Sequence, residues 1–310
     1  MEGSLFGKKL TKIVHVATIM SPLIFSNTTL QAREKEPQFS NPKIRIEGIE
    51  YVKQELKDKE ILFNLAKQLL VREKTKAHKK QKYEIKITKD EIKEKVKSLI
   101  TLIQCYDKGR QWVLDNNFDT NPARTKLVKR DNPILTMDIE KSYKKASTGN
   151  NVAKGINAFY NPSVENIYFR LDIESQSAVQ AAIHEYNHML RKATKFFPKE
   201  TIKLFSEAFD SSSALINLNK IYRDSSFQDN TAILKKITYL ANPLEISAMV
   251  KVFIYDLERL GIKKPGEKFT EDHYLEALQL SEAGKFSNDS RILFLIIKPT
   301  HFVKIMNLKY

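Results

Sequence analysis

The residues of this chain best suited to chemistry are His184-Glu185-Tyr186-Asn187-His188. On a helix, positions i and i+4 share a face, so both imidazoles can reach one metal ion. Two imidazoles and a third protein ligand suit Zn2+, which keeps an open position for water and makes that water acidic. Glu185 directly follows the first histidine and can act as general base, then hand the proton to a leaving amine. Between Ala181 and Leu190 the only charged side chain is Glu185. An acidic group on such an apolar helix is costly to bury without a metal or polar partners.

The elements that must position these residues follow from pattern. Ile156–Tyr160 and Ile167–Asp172 read as two strands joined by the turn-forming Asn161-Pro162-Ser163-Val164-Glu165-Asn166, which predicts a hairpin. From Ser175 onward the periodicity is helical almost to the end, and the apolar run Ile292–Ile297, stopped by Pro299, reads as buried core. Upstream, Leu56, Ile61, Leu62, Leu65, Leu69 and Leu70 recur at helical intervals within Tyr51–Glu73. Tyr83–Ile87 alternates briefly like a strand, and Thr88 with Glu91 forms a capping box that opens a helix running past Cys105 towards Leu114. Asn116–Pro133 is turn-rich and is expected to separate the helical N-terminal part from the rest. Two short strands followed by helices indicate an α+β fold for the C-terminal part.

Composition narrows the function classes. Hydrophobic residues at 42%, with only 9 Gly and 10 Pro, exclude a disordered or collagen-like chain. A single cysteine, Cys105, excludes a disulfide framework and multi-cysteine metal sites; it reads as a core thiol. The formal charge of +15 invites a nucleic-acid partner, yet residues 1–150 hold 31 Lys+Arg against 19 Asp+Glu, while residues 151–310 hold 21 against 18. The surplus therefore belongs to the half without the motif. It is mostly lysine interleaved with glutamate, the pattern of solvated helix faces, with a local patch only at Arg72–Lys82. Nucleic acid is not the expected partner.

At the N-terminus, the basic Gly7–Lys12 precedes a mostly apolar run from Ile13 to Phe25, and Ala32 offers a cleavage point before Arg33-Glu34-Lys35. This order predicts a secretory signal peptide over residues 1–32, and a secreted or periplasmic protein, the alternative being cytoplasmic. The run is too short to span a bilayer stably, so no stable membrane insertion is expected.

The segment His184–His188 resembles the active-site helix of the zincin metallopeptidases, and the preceding hairpin is similar to the zincin active-site sheet, whose edge strand binds an extended substrate. The resemblance covers roughly residues 150–260. No glycine and third histidine follow His188 at the metzincin spacing, and Cys105 lacks the glycine-rich surroundings of a deformylase ligand. The gluzincin type remains, in which a glutamate on a downstream helix is the third ligand. Glu245, in Asn242-Pro243-Leu244-Glu245-Ile246-Ser247-Ala248, resembles the helix start of small gluzincin-like proteins and is preferred; Glu207 in Ser206-Glu207-Ala208 is the competitor. The plain structural role for Glu245 is the N3 position of a helix capped by Asn242, with Pro243 at N1. Tyr239, Tyr255 and His273 are candidates for stabilising the transition state, and Asp210 for orienting a ligand histidine. His15, His78 and His301 receive no role.

The resemblance thus implies a zinc-dependent peptidase acting on a peptide or protein substrate, with metal ligands His184, His188 and Glu245 and catalytic Glu185. The expected organisation is a signal peptide over 1–32, a basic, mainly helical region over 33–130 and a zincin-like domain over 131–310. The alternative is a non-catalytic interaction protein whose basic helical region binds an anionic partner beside a degenerate zincin domain. Oligomeric state, substrate preference and the role of the helical region are not encoded in any local motif.

Overall fold

A computed structural model of the chain describes residues 44–45, 59–77, 86–116, 122–131, 133–136, 139, 143, 156–192, 197–223 and 237–308. The expected signal peptide, Arg33-Glu34-Lys35 after it, and His15, His78, Tyr51, Lys79, Lys80 and Tyr83 lie outside the described residues. The fold is mixed: mostly helical, with a small sheet. The described residues form two compact units, one within Lys35–Leu190 and the other from Arg191 onward. Residues 131–190 group with the basic helices in this division, which falls at the last residue of the motif helix.

In the first unit, α1 (Lys59–Ala77) packs on α2 (Lys89–Asp115) through Leu62, Leu65, Leu69 and the buried Leu99, Leu102 and Ile103. The capping box is formed as expected: the Glu91 amide donates to Thr88 Oγ1 at 3.2 Å, and the Thr88 amide donates to Glu91 Oε2 at 2.8 Å. Charges interleave outward, as in the Lys74–Glu91 pair at 2.7 Å and the Lys97–Glu94 pair at 2.6 Å. Residues 86–88 carry no regular structure, so the strand expected over Tyr83–Ile87 is not formed at its described end. Residues 122–130, expected as turn, form the helix α3 (Pro122–Arg130). Pro122 opens this helix, a position where its missing N–H costs nothing, rather than breaking one.

The sheet has four strands in the order β1–β2–β4–β3. They are β1 (Ile44–Arg45), β2 (Ile134–Thr136), β3 (Ala158–Asn161) and β4 (Asn166–Arg170). The predicted hairpin is β3–β4, antiparallel with Tyr160 opposite Ile167; β2 lies parallel to β4, and β1 antiparallel to β2. From the sheet the chain enters α4 (Ser175–Arg191), which carries the motif.

The second unit is helical: α5 (Lys199–Ala208), α6 (Ser211–Arg223), α7 (Pro243–Arg259), α8 (Glu271–Glu282), α9 (Asn288–Ile296) and α10 (Pro299–Met306). Its core is aromatic around Phe253 of α7, whose ring lies 5.3 Å from those of both Phe286 and Phe302 and 5.4 Å from that of Phe294. Of the run 292–297, Leu293, Ile296 and Ile297 are buried in this core and Ile292, Phe294 and Leu295 are half-buried against it, and Pro299 starts the next helix. No helix among the described residues is long and apolar enough to cross a membrane.

Candidate metal centre

The 17-residue helix α4 has two working faces. At about 3.6 residues per turn, His184 and His188 lie about 40° apart, with Tyr186 almost diametrically opposite. Val179, Ala182, Tyr186 and Met189 share that opposite face, and all are buried. There α2 crosses so closely that a Cβ on Gly109 would stand 2.6 Å from both the Ala182 methyl and the Val179 carbonyl oxygen. Glycine is therefore required by approach of the neighbouring helix, since a backbone oxygen cannot swing aside. Beside this crossing, the Tyr186 phenol hydrogen-bonds the Asp131 carboxylate. Burial, reinforced by the Asp131 charge, pushes that phenol well above its ordinary range, so it stays a protonated donor. Arg110 lies 6.0 Å over the Tyr186 ring, pairs with Asp107, and donates to the Asp131 carbonyl at 3.2 Å. The rotation of α4 is thus set from behind, by groups that no local motif announces.

On the front face, the Nε2 atoms of His184 and His188 lie 3.0 Å apart. Two imidazoles on one tetrahedral zinc, with bonds of about 2.0–2.1 Å, place their nitrogens about 3.3–3.4 Å apart. The spacing is close to that, and both rings turn the same atom to one point. Glu185, buried beside them, accepts a hydrogen bond on Oε2 from the Tyr160 backbone amide of β3 at 2.7 Å.

Glu245 stands in the first turn of α7. Asn242 caps this helix, its Oδ1 accepting from the Leu244 amide at 3.0 Å, and Pro243 sits at N1. Glu245 is buried, and the positive end of the helix dipole favours its charge. One ligand atom each from His184, His188 and Glu245 all lie within 4.8 Å of one another. Two imidazoles and a carboxylate form a donor set that fits a divalent transition metal, and this largely buried group could hold a metal ion. Among the described residues no second such group is assembled.

The other sequence candidates have other positions. Glu207 is exposed, 3.7 Å from Lys203 on the preceding turn of α5, and is not in the group. Asp210 caps α6: its carboxylate accepts from the Ser213 amide at 3.0 Å, the Ser213 hydroxyl at 2.8 Å and the Ser212 amide at 3.1 Å. Those bonds, the Ser213 amide foremost, hold its pKa below the ordinary carboxylate value. His273 occupies N3 of α8, its Nδ1 accepting from the Thr270 amide at 3.1 Å, a capping role. Tyr239 is half exposed and Tyr255 is buried within α7. Cys105 is half-buried on α2 as a free thiol. His301 lies in the first turn of α10 beside Thr300.

Comparison of the chain with family models, with curated proteins and with solved structures finds no match.

Proposed function

We propose that the chain is a zinc-dependent peptidase of gluzincin-like type, exported under the direction of its N-terminal segment. The observation that carries this reading is the facing pair of histidine Nε2 atoms, 3.0 Å apart, with the Glu245 carboxylate in the same group. Zinc is the metal of choice because two histidines and one carboxylate with an open fourth position are its usual hydrolytic arrangement. His184, His188 and Glu245 would hold it. When bound, zinc acts as a Lewis acid that polarises a carbonyl and acidifies water.

The remaining work falls to the chain itself. Glu185 takes the proton from the attacking water on its carboxylate and delivers it to the departing amine nitrogen. Its reach is limited by the Tyr160 amide, which orients Oε2. Ile183 and Met189, both fully buried, and the backing of Tyr186 keep the helix carrying this carboxylate rigid and its far side dry. A base fixed in place before substrate arrives loses little to reorganisation.

Elemental analysis of the purified full chain, together with cleavage of fluorescein-labelled casein, tests the proposal. About one zinc per chain is expected, lost in His184→Ala. Glu185→Gln keeps the zinc and lowers the cleavage rate by about 10²–10⁴-fold, the usual contribution of a general base. Zinc-free wild type, or undiminished cleavage by Glu185→Gln, contradicts the reading. Intact mass of exported protein checks removal of residues 1–32.

A further inference from the structure

Arg124, on the short helix α3, has no part in the metal-ligand set, yet it touches three elements of the site's frame. Its Nε donates to the Met189 carbonyl at 3.0 Å, and a second guanidinium N–H donates to the same oxygen. That carbonyl belongs to the residue after His188, at the end of the motif helix. Nη1 pairs with Glu165 Oε1 at 2.8 Å, and Nη2 donates to the Tyr160 hydroxyl at 3.2 Å. The Arg124 side chain is 11% exposed, so these bonds form largely out of water. A guanidinium presents its N–H groups in a rigid planar fork, and acceptors held by that fork are fixed relative to one another.

Those acceptors bear on the base. Glu165 sits in the β3–β4 turn with φ of 52°, a left-handed conformation that a side chain resists, so its pairing with Arg124 steadies a turn under strain. Tyr160 lies on β3, which is an edge strand among the described residues. The Arg170 amide donates to the Asn157 carbonyl at 2.9 Å, which makes that pair hydrogen-bonded in the antiparallel ladder. By alternation Phe159 and Asn161 also face β4, and Tyr160 turns its amide outward, where it donates to Glu185. Tyr160 is therefore gripped twice, at its hydroxyl by Arg124 and at its amide by the base. Met189, four residues from Glu185 on the same helix, is gripped by the same guanidinium.

We propose that Arg124 is a positioning residue: it joins the end of the motif helix to the edge strand and so sets the distance between the Glu185 carboxylate and the outward Tyr160 amide. Its functional meaning rests on the reading of Glu185 as the base; the contact itself is made entirely by protein groups.

Hydrogen exchange on the full-length, metal-free chain reads that contact directly. Arg124→Lys places one point charge where a fork is needed and is expected to speed exchange at the residue-160 amide by about tenfold or more, with the α2 amides of Leu99 and Leu102 unchanged. Glu185→Ala, which removes the acceptor, is expected to speed the same amide. The double variant should then exchange no faster than Glu185→Ala alone, because Arg124 acts through that acceptor; a purely structural role would make the two effects multiply. An unchanged residue-160 amide in Arg124→Lys, or multiplying effects, overturns the proposal. If Arg124→Lys lowers protection throughout α2, Tyr160→Phe decides: it keeps the amide and loses the hydroxyl, and a rise of about threefold is expected, no rise being contrary. A chain that binds no zinc would remove the peptidase reading and leave these amide rates unaltered.

Discussion

Two helices of equal length, α4 and α7, carry the candidate ligands, and they are held in contrasting ways. Around α4 the buried apolar residues Val179, Ala182, Ile183 and Met189 are joined by polar, shape-specific restraints: the Gly109 crossing, the Tyr186–Asp131 bond, Arg110 and the Arg124 fork. Around α7 they are many and apolar, centred on Phe253 among Phe269, Phe286, Phe294 and Phe302. Apolar packing of this kind supplies stability and tolerates adjustment, whereas a crossing without room for a Cβ and a three-acceptor fork determine rotation and register. The helix that presents two imidazoles and a carboxylate in fixed phase is the one with the specific restraints.

The largest expected effect is on the apolar side. Phe253→Ala should cost about 3–5 kcal/mol by chemical denaturation, as for a fully buried aromatic, without altering the order of zinc affinities among ligand variants. A loss below about 1 kcal/mol would mean that α7 is not held by this cluster.

Gly109→Ala should cost less stability, about 1–3 kcal/mol, part of the clash being offset by the better helix propensity of alanine. It should nevertheless weaken zinc binding about 10–100-fold, the scale seen when ligand-orienting groups are disturbed, because it pushes α4 from behind. Equal zinc affinity in Gly109→Ala and wild type would erase the contrast between the two helices.

A third effect concerns a buried lysine on α7. Lys251 is buried, and desolvation, with the Arg191 charge adding to it and Glu258 opposing, lowers its pKa to about 8. Between about pH 8 and pH 10.5 the unfolded chain binds this proton more fully than the folded one, so stability rises with pH across that window. Below pH 8 both states are charged and the burial penalty stands in full. Lys251→Met should abolish that rise, measured as the midpoint of urea unfolding at pH 7.5 and pH 10.

What is legible in the sequence follows the same division. The motif, the Thr88–Glu91 capping box, the β3–β4 hairpin and the Asn242-Pro243 helix start are local patterns, and each has its expected element in the structure. Strands β1 and β2, of two and three residues, are too short to show alternation. Helix α3 is hidden because Pro122 reads as punctuation in a turn-rich stretch, and Arg124 is hidden with it. Gly109 and Asp131 act on partners 73 and 55 residues away, Ala182 and Tyr186, and no periodicity in one sequence marks such pairs. The only advance signal is indirect: a glycine and an arginine side by side, Gly109-Arg110, inside a helix that otherwise excludes glycine.

The central claim is that His184, His188 and Glu245 together hold zinc. X-ray absorption on the chain loaded with one equivalent of zinc tests it most directly, repeated on His184→Ala, His188→Ala and Glu245→Ala. Two imidazole nitrogens and oxygen ligands at about 2.0–2.2 Å are expected in wild type, with one imidazole missing in each histidine variant and affinity reduced in all three. A zinc spectrum unchanged by His184→Ala and His188→Ala, or a chain that takes up no zinc, would contradict the account.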